Sequence, residues 1–299
     1  MYRSANAYLR RTFGRKIYRL SLSAGCTCPN RDGSIGTRGC IFCNGSGDFA
    51  SDSALGIRQQ IEQAKSLVSA KAHDAGYIAY FQDHTNTYGS VERLEALFSE
   101  ALRQPEIVAL SVATRPDCLP EQILAMLKRL RRIAPVWVEL GLQTVHESSA
   151  RYIRRGYPLS VYEQAVRALK AADIGVITHM ILGLPGESAE QMIETARYIG
   201  KSGADGIKLH LLHVLRDTDL AKDYAAGLFE TMSMDEYITV VRECLRVLPP
   251  DMVIHRLTGD GAKRSLLAPE WSADKKKVLN EMRRRFAAEP FEQGELFFP

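Results

Sequence analysis

Three cysteines near the start of the chain limit its fold and chemistry more than any other feature. Cys28, Cys40 and Cys43 follow a C-x11-C-x2-C spacing within the segment CPNRDGSIGTRGCIFC. Three glycines in the intervening loop give its backbone access to positive φ, which lets the loop fold back on itself. The spacing predicts that the three thiols share one inorganic centre in which one metal position has no protein ligand.

The number of thiols favours an iron–sulfur cluster over zinc. Structural zinc takes four ligands, and the obvious fourth thiol, Cys26, is too close to Cys28 along the chain for a shared tetrahedron. A [4Fe–4S] cluster held at three irons, with the fourth iron open, fits three thiolates. Cys118 and Cys244 fall in or beside predicted helices, where we expect small buried hydrophobic residues, and we expect Cys26 to lie in the core.

Length and composition leave room for one large domain. The chain has 299 residues, of which 45% are hydrophobic, and a barrel of about 250 residues fits within it. There is no apolar run of about 20 residues, and the N-terminus has no apolar signal-peptide core. Six cysteines in so long a chain are no disulfide framework. We therefore expect a cytoplasmic protein that does not enter the membrane.

Short apolar runs alternate with amphipathic segments along most of the chain. This alternation is typical of βαβ units and predicts an α/β fold, a parallel (β/α) partial TIM barrel. We expect the barrel and its basic N-terminal lead-in to occupy residues 1–264, with a basic C-terminal extension over 265–299. The predicted strands are 17–23, 77–81, 107–112, 136–140, 176–182, 206–212 and 252–256; the predicted helices are 57–72, 91–102, 119–133, 161–172, 189–201 and 234–248.

Polar side chains follow the predicted strands, where the active sites of such barrels form. Lys208 and Glu139 both fall on strands, so each needs a partner inside the barrel, and the two can neutralise one another. His179 and His210 also lie on strands, either as hydrogen-bonded core residues or as part of a site. The other polar candidates are Gln82, Asp83, His84, Thr85, Asn86, Thr114, Arg115, Asp117, Gln143, His213, Arg256 and Asp260.

Positive charge is concentrated at the two ends of the chain. Residues 1–40 carry a net +7 and residues 263–285 a net +5, which leaves −8 on the rest of a chain whose total is +4. Two basic ends on an acidic body form a phosphate-binding surface if they meet in space; otherwise they are two solvated basic helices.

Several motifs together resemble the YhcC/YtqA-like bacterial subfamily of radical S-adenosylmethionine (SAM) enzymes, which is related to elongator-type radical SAM proteins. They occur in order from about residue 18 to residue 272: TCPNRDGSIGTRGCIFCN, YFQDHTNTY, ATRPDCL, VELGLQT, LGLPGE, KLHLLHVL and RLTGD. The resemblance implies the partial TIM barrel, a [4Fe–4S] cluster and SAM, whose reductive cleavage yields a 5′-deoxyadenosyl radical. The cofactors would carry the difficult chemistry, and the protein would position the reactants.

The resemblance also implies roles for individual residues. Cys28, Cys40 and Cys43 would bind the cluster, with Phe42 near the adenine of SAM. Gln82 and Thr85 would meet the amino group of SAM, Gln143 the ribose and Arg155 the carboxylate. Leu182, Gly183 and Pro185 would line the adenine. Glu139 is also expected among the residues that bind the cofactors. The residues expected to act on the substrate are Arg115, His179, Lys208 and His210.

The chain departs from the common family pattern in three places. Its first two cluster cysteines are separated by eleven residues where three are usual, as in elongator-type relatives, whose spacing is also long. QDHTNT replaces the usual Gly-Gly-Glu turn, and Arg154-Arg155-Gly156-Tyr157 stands where Asn-Arg-Gly-His is expected. The last two differences affect the contacts to SAM or substrate.

Resemblance and basic ends together favour tRNA as substrate. The expected reaction converts carboxymethylaminomethyl-uridine to aminomethyl-uridine at the wobble position, with a reducing partner of the flavodoxin or ferredoxin type. Two alternatives remain open at this point: a radical SAM enzyme acting on a small metabolite or porphyrin, and a zinc-stabilised RNA-binding protein without catalysis.

Overall fold

Seven parallel strands form the sheet that organises the molecule. This computed structural model describes residues 2–45, 51–72, 74–259 and 264–299. Asp260, one of the sequence candidates, lies outside the described residues. The strands of the sheet are β1 (Ile17–Leu22), β2 (Gly76–Phe81), β3 (Ile107–Thr114), β4 (Val136–Gln143), β5 (Gly175–Leu182), β6 (Gly206–Leu211) and β8 (Val253–Arg256).

Helices cover the outer face of the sheet, and a two-stranded ribbon lies beside it. The ribbon pairs β7 (Val214–Leu215) with β9 (Leu266–Ala268) in antiparallel fashion. The helices are α1 (Ala5–Phe13), α2 (Ile57–Ser66), α3 (Val91–Leu102), α4 (Glu121–Arg131), α5 (Glu147–Tyr152), α6 (Leu159–Ala171), α7 (Ala189–Lys201), α8 (Asp219–Ala225), α9 (Met234–Val247) and α10 (Lys275–Ala288).

The sheet curls into an open barrel. Its strand order is β1-β2-β3-β4-β5-β6-β8, so the first and last strands form the two edges. Between those edges Arg19 donates a hydrogen bond from Nη2 to Nδ1 of His255, over 2.5 Å. The N-terminal segment extends the β8 edge through a parallel bridge between Ser4 and Ile254. The open parallel barrel expected from the sequence is confirmed.

Successive side chains along each strand point alternately into the hydrophobic core and into the barrel interior. On β4, Val136, Val138, Leu140 and Leu142 pack in the main hydrophobic core beneath the helices, so the residues between them face inward. The same alternation turns Arg19, Tyr80, Ser111, His179 and Lys208 into the barrel on their own strands. All strands are parallel and their carboxyl ends share one rim, so the loops that follow them meet there.

Most predicted helices form, but one ends early. The predicted helix 57–72 stops at Ser66, because Ser66 and Ser69 donate hydrogen bonds from their hydroxyls to the carbonyls of Gln63 and Ser66. Such side-chain bonds compete with the helical backbone. Four further helices, α1, α5, α8 and α10, are not among those predicted from apolar spacing, and α5 and α8 are shorter than eight residues. No helix in the described part of the chain is long and apolar enough to cross a membrane.

The two basic ends of the chain lie side by side. Residues of α1 and α10, together with β8, line one common groove of about 390 Å³. The backbone N–H of Arg3 donates a 2.8 Å hydrogen bond to Oε1 of Gln293, which ties the two termini together. The condition for a joint basic surface is therefore met.

Candidate active site

The three cysteines line one cavity at the carboxyl rim of the barrel. This cavity, of about 350 Å³, is bounded on one side by the cysteine loop and on the other by the ends of β2 to β5. The loop folds back as expected: Gly39 donates a 2.7 Å backbone hydrogen bond to the Asn30 carbonyl, and Gly33 and Gly39 both take positive φ. Cys28, Cys40 and Cys43 all border the same space as free thiols.

The electrostatics of the loop couple the three thiols. Burial and the neighbouring Cys43 raise the pKa of Cys40 to about 11. Opposing this, Nδ2 of Asn30 donates a 3.5 Å hydrogen bond to the Cys40 sulfur and a 2.7 Å bond to the Arg154 carbonyl. Within the described residues no three His, Cys, Asp or Glu side chains converge to hold a single metal ion. A cubane makes no such demand, since each thiolate binds a different iron.

Most residues expected to contact SAM border this cavity. Phe42 reaches it from the cysteine loop, next to a small apolar cluster. Gln143 adopts φ of 71°, a conformation that is strained for a non-glycine residue and is often found at functional sites. A Cβ at Gly141 would lie 2.9 Å from Nε2 of Gln143, so the glycine makes room for that side chain. The other members of the set that line the cavity are Gln82, Thr85, Glu139 and Arg155.

The end of β5 and the turn after it carry three residues that were expected near the adenine. Leu182, Gly183 and Pro185 do not line the cavity. Leu182 is fully buried in the core between sheet and helices, because it shares the outward phase of β5 with Met180. Leu184 is the residue of this turn that joins Phe42 in the small apolar cluster.

Two arginines and a tyrosine form one wall of the cavity. Arg115 makes a two-pronged ion pair with Asp117, at 2.9 and 2.7 Å. Arg155 is 2% exposed and donates to the carbonyls of Thr144 and Tyr157 and, over 2.9 Å, to Glu147. The Tyr157 ring lies beneath both guanidinium groups, 5.1 and 5.0 Å from their central carbons. Both arginines are thus held rigidly beside the thiols.

A buried polar cluster lies in the barrel beneath the cavity. The Glu139 carboxylate is fully buried and accepts hydrogen bonds from Lys208, from Nε2 of His179 at 2.6 Å and from Ser111 at 2.8 Å. Burial opposes ionisation of Glu139, but Lys208 and His179 hold its pKa well below the usual range. Lys208 and Glu139 therefore contact each other as a buried pair, as the sequence suggested. Tyr80 completes the cluster by receiving a 2.9 Å hydrogen bond from Lys208.

The four residues expected to act on the substrate lie at different depths in the barrel. His179 borders the cysteine cavity and an adjoining cavity, and Arg115 borders the first alone. His210 borders the adjoining cavity, with its ring 5.0 Å from that of His179. Lys208 is 2% exposed and lines neither space, since it lies behind Glu139.

Sequence reasoning missed three residues of the site. Asn30 bonds a cluster cysteine, Tyr80 bonds Lys208, and Arg31 lines the cavity and donates to the Cys43 carbonyl. Asn30 and Arg31 lie inside the CPNR segment between the first two cysteines, and that position is the signal that could have identified them. Tyr80 had no such signal, because its strand reads as uniformly apolar. Trp271 is a packing residue: its ring contacts that of Tyr237, and its Nε1 donates a hydrogen bond to the Met232 carbonyl.

The fold and the site together are an open parallel barrel with three thiols at its carboxyl rim. Two family models match this chain. Residues 32–199 match the Radical SAM superfamily, and residues 204–288 match the Radical_SAM C-terminal domain. The chain belongs to the radical SAM superfamily. This membership separates it from the zinc-stabilised, non-catalytic class.

Within that superfamily the chain is similar to two bacterial proteins along nearly its whole length. It is 40% identical to YtqA of Bacillus subtilis, over 99% of this chain and 92% of that protein. It is 35% identical to YhcC of Escherichia coli, over 92% of this chain and 89% of that protein. These relatives place it in a YhcC/YtqA-like family.

Solved structures confirm the fold. Elp3 of Methanocaldococcus infernus, with its N-terminus deleted, superposes with a TM-score of 0.67 at 19% identity, over 93% of this chain and 64% of that one. Methylornithine synthase superposes with a TM-score of 0.54 at 15% identity, over 94% and 86% of the two chains. In sequence, this chain is 26% identical to elongator complex protein 3 of Mus musculus, over 67% of this chain and 35% of that protein.

The residues present fit the cofactors that the family implies. Three thiols with one hydrogen-bond donor, Asn30, border the cavity, which suits a cluster bound at three irons. A cavity of about 350 Å³ is in the range of small-ligand sites. Cys28, Cys40 and Cys43 would hold the cluster, and Phe42, Gln82 and Gln143 would contact SAM beside it.

Proposed function

We propose that this chain is a radical SAM enzyme that converts carboxymethylaminomethyl-uridine to aminomethyl-uridine at the wobble position of tRNA. The observation that carries the RNA part of this proposal is the meeting of the two basic ends on one face. Similarity to elongator complex protein 3 supports the same substrate class. An anticodon loop already exposes its bases, so a wobble base can reach the rim of a barrel.

The basic face has the character of a phosphate-binding surface. Arg10 and Arg11 are exposed on α1, and Lys276 and Lys277 are exposed on α10. The groove between the two helices is lined by Lys275 and by no Asp or Glu among the described residues. Exposed lysines and arginines neutralise backbone phosphates without reading sequence. Such a face would hold the tRNA while the rim receives the base.

The reaction divides between cofactors and protein. When bound, the reduced cluster and SAM would supply a 5′-deoxyadenosyl radical, and the oxidised cluster would serve as electron acceptor. Removing one hydrogen atom and one electron from the glycine-like carbon of the substituent leaves a C=N bond to the aminomethyl nitrogen. Water hydrolyses that bond to the aminomethyl group and glyoxylate. The protein positions the substituent and shields it from solvent, and the rigid wall of Arg115, Tyr157 and Arg155 suits that task.

Mass spectrometry of tRNA nucleosides tests this function. In cells that lack the chain we expect carboxymethylaminomethyl-uridine to accumulate and aminomethyl-uridine to disappear. Wild-type protein should restore the product, and Cys40→Ala should not. The matched control is Cys244→Ala, which changes a buried thiol in α9, far from the cavity along the chain. An unchanged nucleoside profile would contradict the tRNA proposal and leave membership of the radical SAM superfamily untouched.

A further inference from the structure

A second cavity adjoins the cysteine cavity at the carboxyl rim. It measures about 470 Å³ and lies over the ends of β5, β6 and β8. The residues that border both cavities are Phe42, Gln82, Gln143, His179 and Leu215. A reactant bound in the second cavity therefore meets a cofactor bound in the first at these side chains.

Glu139 determines which nitrogen of His179 carries a proton. Nε2 of His179 lies 2.6 Å from Oε2 of Glu139. The Glu139 carboxylate is ionised despite its burial, because Lys208 and His179 hold its pKa well below the usual range. An ionised carboxylate only accepts hydrogen bonds, so Nε2 of His179 must be the donor. Glu139 thereby fixes both the orientation and the tautomer of the His179 ring.

The other ring nitrogen of His179 is left as an acceptor. Burial and the neighbouring Lys208 lower the pKa of His179 to about 4, so at pH 7 the ring is neutral and carries one proton. Because that proton is on Nε2, Nδ1 has a lone pair and no hydrogen. The described residues supply no hydrogen bond to Nδ1, and the His179 side chain is 17% exposed beside both cavities. A ligand that hydrogen-bonds His179 must therefore present a donor.

We propose that Nδ1 of His179 binds the N–H of the secondary amine in the carboxymethylaminomethyl group of the substrate. This inference rests on the proposed function, in which hydrogen leaves the carbon bonded to that nitrogen. The reacting carbon must face the cysteine cavity, and His179 lies where the two cavities meet. The amine carries an N–H in both its neutral and its protonated form, whereas the N–H of the uracil ring is several bonds further from the reacting carbon.

This contact makes His179 a specificity-determining residue and Glu139 a positioning residue that acts through it. An analogue with an ether oxygen in place of the amine nitrogen has nearly the same shape but no N–H. Its oxygen would face the lone pair of Nδ1, and two acceptors do not hydrogen-bond each other. We therefore expect the site to bind the amine at least about tenfold more tightly than the ether.

Binding of two matched RNAs tests the contact. Both are anticodon stem-loops, one with the natural amine and the other with the ether oxygen in its place. Each is titrated by fluorescence anisotropy against the anaerobically reconstituted protein, with SAM and without a reductant. The wild type should prefer the amine by at least about tenfold. His179→Phe should remove that preference, and His179→Gln, whose side-chain oxygen accepts hydrogen bonds, should retain part of it.

The matched control is His146→Phe, at a histidine that donates from Nε2 to the Gln191 carbonyl at the start of α5. It should keep the full preference for the amine. Iron content and formation of 5′-deoxyadenosine without substrate show that each variant is folded and loaded.

The wild-type measurement decides the inference whether or not the variants fold. Equal affinity for the two RNAs, or binding of neither, would overturn it, as would an undiminished preference in folded His179→Phe. A preference for the amine, with no turnover of the amine RNA once a reductant is added, would support this contact and contradict the proposed function.

Discussion

Arg19 on the first strand and His255 on the last are joined by a hydrogen bond of 2.5 Å across the open edge of the barrel. The two residues are 236 positions apart in the chain, and their strands do not pair with each other. The side chains thus bridge a gap that the backbone leaves open. His255 accepts through Nδ1, which requires a neutral ring, and burial together with Arg19 lowers the pKa of His255 well below its ordinary value.

Removing this bridge should destabilise the protein. In His255→Ala, Arg19 loses its acceptor in a partly buried place, which should lower the free energy of unfolding by about 1–3 kcal/mol. Urea unfolding of the reconstituted protein under anaerobic conditions measures this change. Arg58→Ala breaks an exposed ion pair with Glu62 on α2 and is the control, with an expected effect of about 0.5 kcal/mol or less. Equal effects of the two substitutions would show that the Arg19–His255 hydrogen bond contributes no more to the free energy of unfolding than an exposed ion pair does.

Acid should destabilise the fold through its buried histidines. Burial lowers the pKa of His179 to about 4, and those of His210 and His255 are lowered as well. The unfolded chain takes up a proton on each ring near pH 6.5, whereas the folded chain does not. The free energy of unfolding should therefore fall as the pH drops from about 6.5 toward 4, by about 1.4 kcal/mol per pH unit for each histidine. Urea unfolding at pH 7, 6 and 5 tests this slope; a flat profile would refute it.

The Glu139–Lys208 pair should behave as a unit. Lys208→Met leaves the Glu139 carboxylate buried without its cation, which should cost about 3–5 kcal/mol of unfolding free energy. Glu139→Gln should be similarly harmful. The double variant removes both charges and should cost clearly less than the two single effects combined. A double-mutant cycle by urea unfolding measures this coupling, and strict additivity would argue against a mutually compensating pair.

The basic face should account for the salt dependence of tRNA binding. Lys276→Ala/Lys277→Ala removes two exposed cations from α10, and each lost phosphate contact should reduce the slope of log affinity against log salt by about 0.7–0.9. Lys128→Ala/Arg132→Ala removes two exposed charges near the end of α4 and is the matched control. Filter binding across a salt series gives both slopes. A larger change in the control would place the RNA elsewhere on the molecule.

Much of the fold was predictable because local patterns determined it. Each of the seven strands begins within one residue of its predicted start, since short apolar runs bounded by turn residues are a strong signal. The early end of α2 was not predictable from apolar spacing, because the serine hydroxyls that end it do not change that spacing. The direction in which each side chain of β5 points was equally unpredictable. Most residues of this strand are apolar, so the sequence does not indicate which of them face the helices and which face the barrel interior.

The site was predictable where spacing carries chemistry and unpredictable where distant strands meet. The cysteine motif located the cavity, and the polar strand ends located His179, Glu139 and Gln143 around it. The placing of Leu182 in the core and of Leu184 beside Phe42 depends on strand phase and turn geometry. The contact between Arg19 and His255 depends on how far the sheet curls, which no local segment determines.

Cleavage of SAM tests the central claim most directly. The reconstituted protein, incubated without oxygen with SAM and dithionite, should form 5′-deoxyadenosine and contain about four irons per chain. Cys40→Ala should lose the product and most of the iron, while Cys244→Ala should keep both. If the wild-type protein forms no 5′-deoxyadenosine, or if Cys40→Ala forms as much as the wild type, the three-cysteine cavity is not the cofactor site described here.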